Sequence, residues 1–327
     1  MKTAIIIAGI ILLATMLAAA TQYTGNSTEQ ARTLASDDIK IVQVGDIKMA
    51  YKVQGQGEPL VMIIGSTGTM DYWPTQFLDS LSSKYQVIVF DNSVMGYTTA
   101  SSANFSISQF ANDTAGLIDA LGIEQANVLG ISMGSFIAQE LAIEHPEKVK
   151  RLILLASYCG GSQAIQADPE IAKKMPDMSN LSNLSREEFM RAGEALYPKK
   201  WLAENPDFFN KPLMVKETSS TENIKRQLMA ISLWPGTYDR LDRIKAPTLI
   251  VAGMEDVIIP PENSLILANR INDSWLVRLE NAGHGLVIQY PDRLARIVAD
   301  FIELSATDSF SQALNSSSLE TGQKKYR

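Results

Sequence analysis

The chain has 327 residues, of which 46% are hydrophobic and 20% are charged, and its formal net charge is −7. This length favours one large domain with an insertion over two independent domains, and it is long enough to bury a central sheet. The acidic balance, with no basic stripe to neutralise phosphates, argues against a nucleic-acid partner. The single cysteine, Cys159, excludes an intramolecular disulfide, a cysteine-based metal cluster and a CxxC redox pair, and we expect a buried thiol.

The first twenty residues, 1–20, have the pattern of a targeting segment. Lys2 precedes an apolar, uncharged run over residues 4–20, which ends in three alanines. A basic start, an apolar middle and an A-x-A site are typical of a secretory signal peptide, while a run of about 17 residues or more can also anchor a chain in a bilayer. The sequence therefore predicts an exported protein, secreted or attached to the membrane. Residues 21–38 are polar and predict a linker, and residues 305–327 predict a disordered tail.

Strands and helices begin to alternate from residue 39. Alternating apolar residues over 39–53, interrupted by a Gly-Asp pair, predict a hairpin. Two apolar runs, residues 60–64 and 87–91, predict strands buried on both faces, with a helix near residues 75–83 between them. The next helix is predicted to begin at Ser106, because a glutamine three residues later gives the spacing of a capping box.

A strand, an abrupt turn and a helix are predicted around residues 126–145. Ser132 stands at the turn, and Gly130 and Gly134 on either side lack the Cβ atoms that would clash there. This G-x-S-x-G pattern is that of a nucleophile elbow. Because glycine and serine are common residues, the apolar strand before the turn and the helix after it strengthen the interpretation.

Another buried strand is predicted over residues 149–156, after which the alternation stops. Residues 160–238 are helix-like and rich in Met, Pro and charged residues, and we interpret them as a helical insertion over the strand ends. The strand pattern resumes at residues 247–252 and 275–279, and a closing helix is predicted over residues 292–304. This order predicts a mainly parallel α/β sheet, whose ligands bind at the carboxyl ends of the strands.

A serine hydroxyl needs a base to accept its proton, and the chain has two histidines. His145 ends the helix of the elbow and faces away from the strand ends. His284 lies in a loop after the last strand with a glycine on each side, where an imidazole can project into a cleft. The carboxylate that orients this imidazole is predicted to be Asp256, which follows a buried strand, and Glu255 is the neighbouring alternative.

The elbow motif around Ser132, together with Asp256 and His284 in that order, resembles the α/β-hydrolase fold superfamily over residues 39–304. The similarity is closest to capped serine esterase-like and peptidase-like hydrolases. The resemblance implies an eight-stranded, mainly parallel sheet with helices on both faces, and a helical cap at about residues 160–238 after the sixth strand. It also implies a small-molecule substrate and a reaction that needs neither cofactor nor metal.

The resemblance further implies two backbone N–H donors for an oxyanion, Met133 and Ser66. Many relatives have His-Gly in the loop after the third strand, where this chain has Ile64-Gly65-Ser66. Residues 91–97 also lack the arginine of the Asp-x-Arg-Gly-x-Gly pattern. These departures leave the proposed catalytic triad of Ser132, Asp256 and His284 intact, but they weaken any transfer of a relative's substrate to this chain.

The sequence therefore predicts a serine hydrolase that cleaves a small carboxylic ester through an acyl-enzyme on Ser132. Lactone, thioester, N-terminal prolyl peptide and carbon–carbon bond hydrolysis stay open, as does cofactor-free perhydrolysis, because the elbow does not choose among them. Aromatic residues and methionines in the insertion favour a substrate with an apolar portion, and they equally fit ordinary packing. A non-catalytic ligand-binding protein of the same fold is the alternative from another class.

Overall fold

The computed structural model describes residues 38–100, 105–174, 185–210 and 219–306. The predicted signal or anchor segment, nearly all of the predicted linker and the chain beyond residue 306 lie outside the described residues. Within the described part of the chain, no helix combines the length and the apolar character that crossing a bilayer requires.

Eight strands form a single sheet. They are β1 (Lys40–Val44), β2 (Ile47–Gln54), β3 (Glu58–Ile63), β4 (Tyr85–Phe90), β5 (Ala126–Ile131), β6 (Val149–Leu155), β7 (Thr248–Gly253) and β8 (Ser274–Leu279). Their order across the sheet is β1-β2-β4-β3-β5-β6-β7-β8. Strand β2 pairs antiparallel with both β1 and β4, and every pairing from β4 to β8 is parallel. The predicted eight-stranded, mainly parallel α/β sheet is confirmed.

The predicted hairpin joins β1 and β2. Val44 pairs with Ile47, so Gly45 and Asp46 form a two-residue turn. Gly45 has a φ of 54°, a left-handed conformation that a tight hairpin turn requires and that glycine adopts without strain.

Helices fill the connections between the strands. In the described ranges they are α1 (Thr75–Ser82), α2 (Ile107–Ala120), α3 (Met133–Glu144), α4 (Pro169–Lys174), α5 (Arg186–Leu196), α6 (Lys199–Glu204), α7 (Thr221–Leu233), α8 (Glu262–Arg270), α9 (Leu286–Gln289) and α10 (Pro291–Ala306). Helix α3 packs against β3, β5, β6 and α2, and its residues from Met133 to Ile143 are buried. Helix α1 packs against β4 and α10.

Helix α2 begins where the sequence predicts, with half of the predicted capping box. The Ser106 hydroxyl accepts a hydrogen bond from the backbone N–H of Gln109 (3.1 Å). The Gln109 side chain donates to Oδ1 of Asp113 (2.8 Å), one turn further along the helix. The serine therefore satisfies one of the free N–H groups at the start of the helix, and the glutamine stabilises the first two turns.

The chain between β6 and β7 contains α4 to α7 and short 3-10 turns, and its described residues form no strand. Helix α7 lies over the loops that follow β3 and β4. Asn223 donates from Nδ2 to the carbonyl oxygen of Val94 (2.9 Å), and the backbone N–H of Thr67 donates to Oε1 of Gln227 (2.5 Å). These described parts of the insertion are therefore in direct contact with the carboxyl ends of two central strands.

The two ends of this helical segment are fastened to each other and to α3. The carbonyl oxygen of Cys159 accepts a hydrogen bond from the backbone N–H of Thr237 (2.7 Å). The buried carboxylate of Glu140, on α3, accepts from Nε1 of Trp234 (2.7 Å) and from the guanidinium of Arg240 (2.7 Å). These bonds hold the start and the end of the segment together beside α3, close to where the chain leaves β6 and returns to β7.

Candidate active site

Ser132 stands at the sharp turn between β5 and α3. Its φ of 53° and ψ of −125° lie in a region that residues with a side chain rarely adopt. A Cβ atom on Gly130 would lie 2.2 Å from the carbonyl oxygen of Gly134, and one on Gly134 would lie 2.1 Å from that of Ile63. Gly130 therefore allows the turn to close on itself, and Gly134 allows it to pack against the end of β3. Backbone strain of the kind seen at Ser132 is concentrated at functional sites.

The structure brings three sequence-predicted side chains together. Nε2 of His284 lies 3.0 Å from Oγ of Ser132, and Nδ1 of His284 lies 2.8 Å from Oδ2 of Asp256. All three residues are buried. Because a carboxylate oxygen only accepts, the Nδ1 atom carries the proton of a neutral imidazole, and Nε2 is then able to accept one from the serine hydroxyl.

Asp256 is held in place by the backbone that follows it. Its Oδ1 atom accepts hydrogen bonds from the N–H groups of Ile258 (2.9 Å) and Ile259 (2.8 Å), which leaves Oδ2 for the imidazole. The neighbouring Glu255 is exposed. The structure therefore brings Asp256, and not Glu255, to His284.

The loop that carries His284 is fixed by a residue that the sequence analysis missed. Gln289, at the end of α9, accepts from the backbone N–H of Gly283 at Oε1 (2.8 Å) and donates from Nε2 to the carbonyl oxygen of Asn281 (3.1 Å). The short helix α9 is what returns this side chain to the loop. No motif marks a lone glutamine, so only the tertiary structure reveals this contact.

Tyr197, which follows helix α5, packs against the same loop. A Cβ atom on Gly285 would lie 2.2 Å from Cε1 of Tyr197, so the ring lies directly on the glycine after His284. The ring is buried, and burial raises the pKa of the Tyr197 phenol far above its ordinary value. A residue of the helical segment thus packs directly beside His284. The sequence analysis did not predict this role for Tyr197.

The two residues predicted to line an oxyanion site lie on segments of the chain that pack against each other. Met133 is the first residue of α3, and Ser66 lies in the loop after β3; both are buried. The start of α3 rests on the end of β3, because Gly134 contacts the carbonyl oxygens of Ile63 and Ile64. The first N–H groups of a helix have no partner within that helix, so the amide of Met133 is suited to an anionic ligand.

Asp91, the first residue of the segment that lacks the expected arginine, ties two loops together. Its Oδ1 atom accepts from the backbone N–H of Met70 (2.7 Å), and its Oδ2 atom accepts from that of Tyr97 (2.9 Å). Burial is the largest influence on this carboxyl group and raises its pKa to about 6. A Cβ atom on Gly96 would lie 2.2 Å from Oδ2, so the loop closes tightly on the carboxyl group.

The remaining candidate residues have structural surroundings. His145 ends α3, and its Nε2 atom lies 2.7 Å from Oδ1 of Asn112 on α2. Cys159 is buried as expected, and burial raises the pKa of its thiol to about 11. Among the residues that the structure describes, no cluster of three or more His, Cys, Asp or Glu side chains is arranged to hold a metal ion.

Comparison with known proteins identifies the family. The family model of the alpha/beta hydrolase fold matches residues 58–291. The chain is 28% identical to a candidate carbamate hydrolase, RutD, of Azorhizobium caulinodans, over 79% of this chain and 96% of that protein. It is 29% identical to 2-hydroxymuconate semialdehyde hydrolase of Pseudomonas putida, over 76% of this chain and 88% of that protein.

A solved structure agrees with the family model at the level of the fold. The structure of a thermophilic esterase from Thermogutta terrifontis superposes with a TM-score of 0.66 at 22% identity, covering 81% of this chain and 98% of that one. At this identity the likeness shows the fold alone. The chain therefore belongs to the alpha/beta hydrolase fold family, and it is an enzyme of the hydrolase class.

Proposed function

We propose that the protein is a serine hydrolase that cleaves a small carboxylic ester through an acyl-enzyme on Ser132. The observation that carries the proposal is the continuous line of contacts from Oγ of Ser132 through the imidazole of His284 to the carboxylate of Asp256, at 3.0 and 2.8 Å. A hydroxyl beside a base that is itself oriented by a carboxylate is the arrangement that activates a serine nucleophile.

In the first half of the proposed reaction, Oγ of Ser132 attacks the carbonyl carbon of the ester while Nε2 of His284 takes its proton. The tetrahedral intermediate then collapses, and Nε2 returns the proton to the leaving alcohol. Asp256 keeps the proton on Nδ1 and stabilises the imidazolium that forms. The two backbone N–H groups on the other oxygen of Asp256 support this role by keeping the carboxylate fixed.

The negative charge of the intermediate needs donors that are in place before the reaction. We assign this role to the backbone N–H groups of Met133 and Ser66, each with a contribution of about 2.7 to 4 kcal/mol. The support is that both residues are buried, and that the start of α3, which Met133 begins, packs against the end of β3, from which the loop with Ser66 continues.

The second half of the reaction repeats the first with water in place of the alcohol. His284 takes a proton from water as the water oxygen attacks the carbonyl carbon of the acyl-enzyme. The new tetrahedral intermediate then collapses, the bond between this carbon and Oγ of Ser132 breaks, and Nε2 returns the proton to Oγ. The ester is thereby cleaved into a carboxylic acid and an alcohol, and the free serine is restored. These steps use side-chain and backbone groups of the chain itself.

Labelling with a fluorophosphonate tests the proposed nucleophile. We expect the folded wild-type protein to be labelled at Ser132 and the Ser132→Ala variant to remain unlabelled. A folded wild-type protein that resists labelling would contradict the proposal and favour the alternative, a ligand-binding protein that retains the fold.

The names of the relatives suggest alternative types of bond that the enzyme could cleave. One is named as a candidate carbamate hydrolase and another as a semialdehyde hydrolase, and the proposed triad is compatible with carbamate and carbon–carbon bond cleavage. A panel of purified substrates decides: esters, carbamates, lactones, thioesters, N-terminal prolyl peptides, vinylogous diketones and a perhydrolysis assay. We expect the highest kcat/KM for an ester.

We also propose that the protein is exported, on the sequence of residues 1–20 alone. N-terminal sequencing of the mature protein tests cleavage, and we expect it to begin shortly after the three alanines. A mature protein that begins at Met1 and is recovered with membranes supports the anchor instead, and one that is recovered from the cytoplasm contradicts export.

A further inference from the structure

We propose that Gln227, on helix α7, determines substrate specificity by donating a hydrogen bond to an oxygen atom in the acyl part of the substrate. The proposal rests on the proposed function above. It narrows the substrates to esters whose acyl group carries a carbonyl, ether, hydroxyl or carboxylate oxygen in addition to the ester itself.

The orientation of the Gln227 amide is fixed by the structure. Its Oε1 atom lies 2.5 Å from the backbone nitrogen of Thr67, which is an N–H donor. Because the NH2 group of an amide only donates, the side chain cannot be turned around at this contact. Nε2 therefore faces away from the backbone of Thr67.

Nε2 of Gln227 is buried and, among the residues that the structure describes, has no hydrogen-bond partner. A buried donor without an acceptor costs stability, because it loses its hydrogen bonds to water and gains none in return. Such a group needs a specific explanation. A substrate oxygen that completes the hydrogen bond on binding provides one.

Other unpartnered polar atoms lie on the loops beneath α7. The two loops follow neighbouring strands, β3 and β4. Four buried oxygens on these two loops have no partner among the described residues: Thr67 Oγ1, Thr69 Oγ1, Asn92 Oδ1 and Ser93 Oγ. Helix α7 is fixed above the second loop by the bond from Asn223 to Val94. This polar surrounding favours an acyl group with polar atoms over the purely apolar one that the aromatic content of the insertion suggests.

The position of Gln227 relative to the proposed oxyanion site indicates which part of the substrate it reads. Thr67 follows Ser66 directly and has a φ of 64°, which is strained for a β-branched residue. The bond from Thr67 N–H to Gln227 holds that conformation. An ester whose carbonyl oxygen sits at the N–H of Ser66 would lie one residue away from this bond, and we assign the side of the ester next to the Gln227 amide to the acyl substituent.

The test compares p-nitrophenyl esters in isosteric pairs, so that one CH2 or CH–CH3 group is exchanged for an oxygen function. The pairs are butanoate with methoxyacetate, and 4-methylpentanoate with 4-oxopentanoate. For each pair, kcat/KM of the oxygenated ester is divided by kcat/KM of its hydrocarbon partner. This ratio is then divided by the same ratio of the alkaline hydrolysis rates, and the result, which we call the corrected ratio, no longer contains the intrinsic reactivity of the two esters. We expect the wild-type enzyme to favour the oxygenated member of at least one pair by about tenfold or more.

The Gln227→Met variant keeps the shape of the side chain and removes the donor. We expect it to lower the corrected ratio about tenfold, to near one. It also removes the acceptor for Thr67, but a loosened oxyanion loop slows both members of a pair alike, so the ratio isolates the donor. Met229→Ala, at an exposed position of the same helix, is the matched control and should keep the wild-type ratio.

The Gln227→Glu variant gives a second readout. It retains an acceptor for Thr67, and its carboxyl group donates only while it is protonated. We expect its corrected ratio to fall as the pH rises through the pKa of the new carboxyl group, while the wild-type ratio stays constant. A purely structural role of Gln227 would leave both ratios independent of pH.

Two results would overturn the proposal: wild-type ratios near one for both pairs, or an unchanged wild-type ratio in Gln227→Met. If that variant fails to fold, the pH profile of Gln227→Glu decides, and the wild-type ratio decides on its own if neither variant folds. Fluorophosphonate labelling of Ser132 needs no acyl group. A labelled enzyme without acyl preference therefore refutes the role of Gln227 alone, whereas absence of labelling refutes the proposed function.

Discussion

Nε2 of His284 lies 3.0 Å from Oγ of Ser132, although 152 residues separate the two along the chain. Each side chain is held independently of the other. The serine is fixed by the turn between β5 and α3, and the histidine by a loop whose backbone is bonded to Gln289. Their contact is therefore set by the sheet and its loops before any substrate binds, which is the preorganisation that a catalytic site needs.

The carboxylate beside this pair gives the first prediction. We expect Asp256→Asn to lower kcat about a thousandfold or more, because an amide at this position can donate to Nδ1 and favour the wrong tautomer of His284. Glu255→Gln, at the exposed neighbouring position, should leave kcat unchanged. The measurement is ester turnover by both purified variants, and loss of turnover in Glu255→Gln alone would show that the acid has been misassigned.

The elbow gives a prediction about stability. We expect Gly134→Ala to destabilise the fold by about 3 kcal/mol or more, since the new Cβ would lie 2.1 Å from the carbonyl oxygen of Ile63, where the backbone cannot move aside. Gly122→Ala is the control, because Gly122 has a φ of 69° but open space around it, so only about 1 kcal/mol of backbone strain is expected. Urea denaturation measures both, and equal losses would contradict the steric argument.

Asp91 gives a prediction about pH. Burial raises its pKa to about 6 in the folded protein, so folding favours the protonated carboxyl group. The stabilisation is complete below about pH 4, the ordinary pKa, and is lost as the pH rises through 6. Between pH 5 and pH 7 this group alone should lower the free energy of unfolding by about 1 kcal/mol.

The Asp91 prediction is checked by urea denaturation of the wild-type protein and the Asp91→Asn variant at both pH values. The difference in free energy of unfolding, wild type minus variant, should become smaller by about 1 kcal/mol from pH 5 to pH 7. The variant's own loss of one backbone hydrogen bond is the same at both pH values and cancels. A difference that does not change with pH would contradict the raised pKa.

The hydrogen bonds that Trp234 and Arg240 donate to Glu140 give a further prediction. We expect Arg240→Met to destabilise the protein by about 1 to 3 kcal/mol, because it leaves the buried carboxylate of Glu140 with only the indole N–H of Trp234. Arg243→Met, exposed on the same 3-10 turn, is the matched control and should cost less than about 0.5 kcal/mol. Indistinguishable unfolding curves for the two variants would contradict a role of this ion pair.

The order of strands and helices could be predicted because it follows from local patterns. Buried strands such as β3 and β5 consist mostly of apolar residues, and the turn at Ser132 needs glycines at fixed offsets. With two histidines in the chain, the loop around His284 stood out by its flanking glycines. Each of these signals is contained within a few neighbouring residues.

The choice between Asp256 and Glu255 could not be made from the sequence with the same clarity. It depends on which of two adjacent carboxylates the backbone turns toward His284. The turn that captures Oδ1 of Asp256 on the N–H groups of Ile258 and Ile259 makes that choice, and it is a feature of three-dimensional geometry.

Contacts between distant segments escaped the sequence analysis altogether. Gln289 supports the histidine loop, Tyr197 packs on it, and Gln227 bonds to Thr67 across 160 residues of chain. Glutamine and tyrosine have many ordinary roles in helices, so neither residue type carries a local signal. What these side chains do depends on how helices α5, α7 and α9 are placed over the strand ends.

The hydrogen bond between Gln227 and Thr67 bears on how such an enzyme changes its preference over evolutionary time. A helical segment that made no contact with the residues beside Ser132 could be exchanged between homologues, and only the part of the substrate that it contacts would then change. Here the segment also holds a strained residue next to Ser66. We expect chimaeras that receive another homologue's helices to acquire its substrate range only when an acceptor side chain at position 227 is retained.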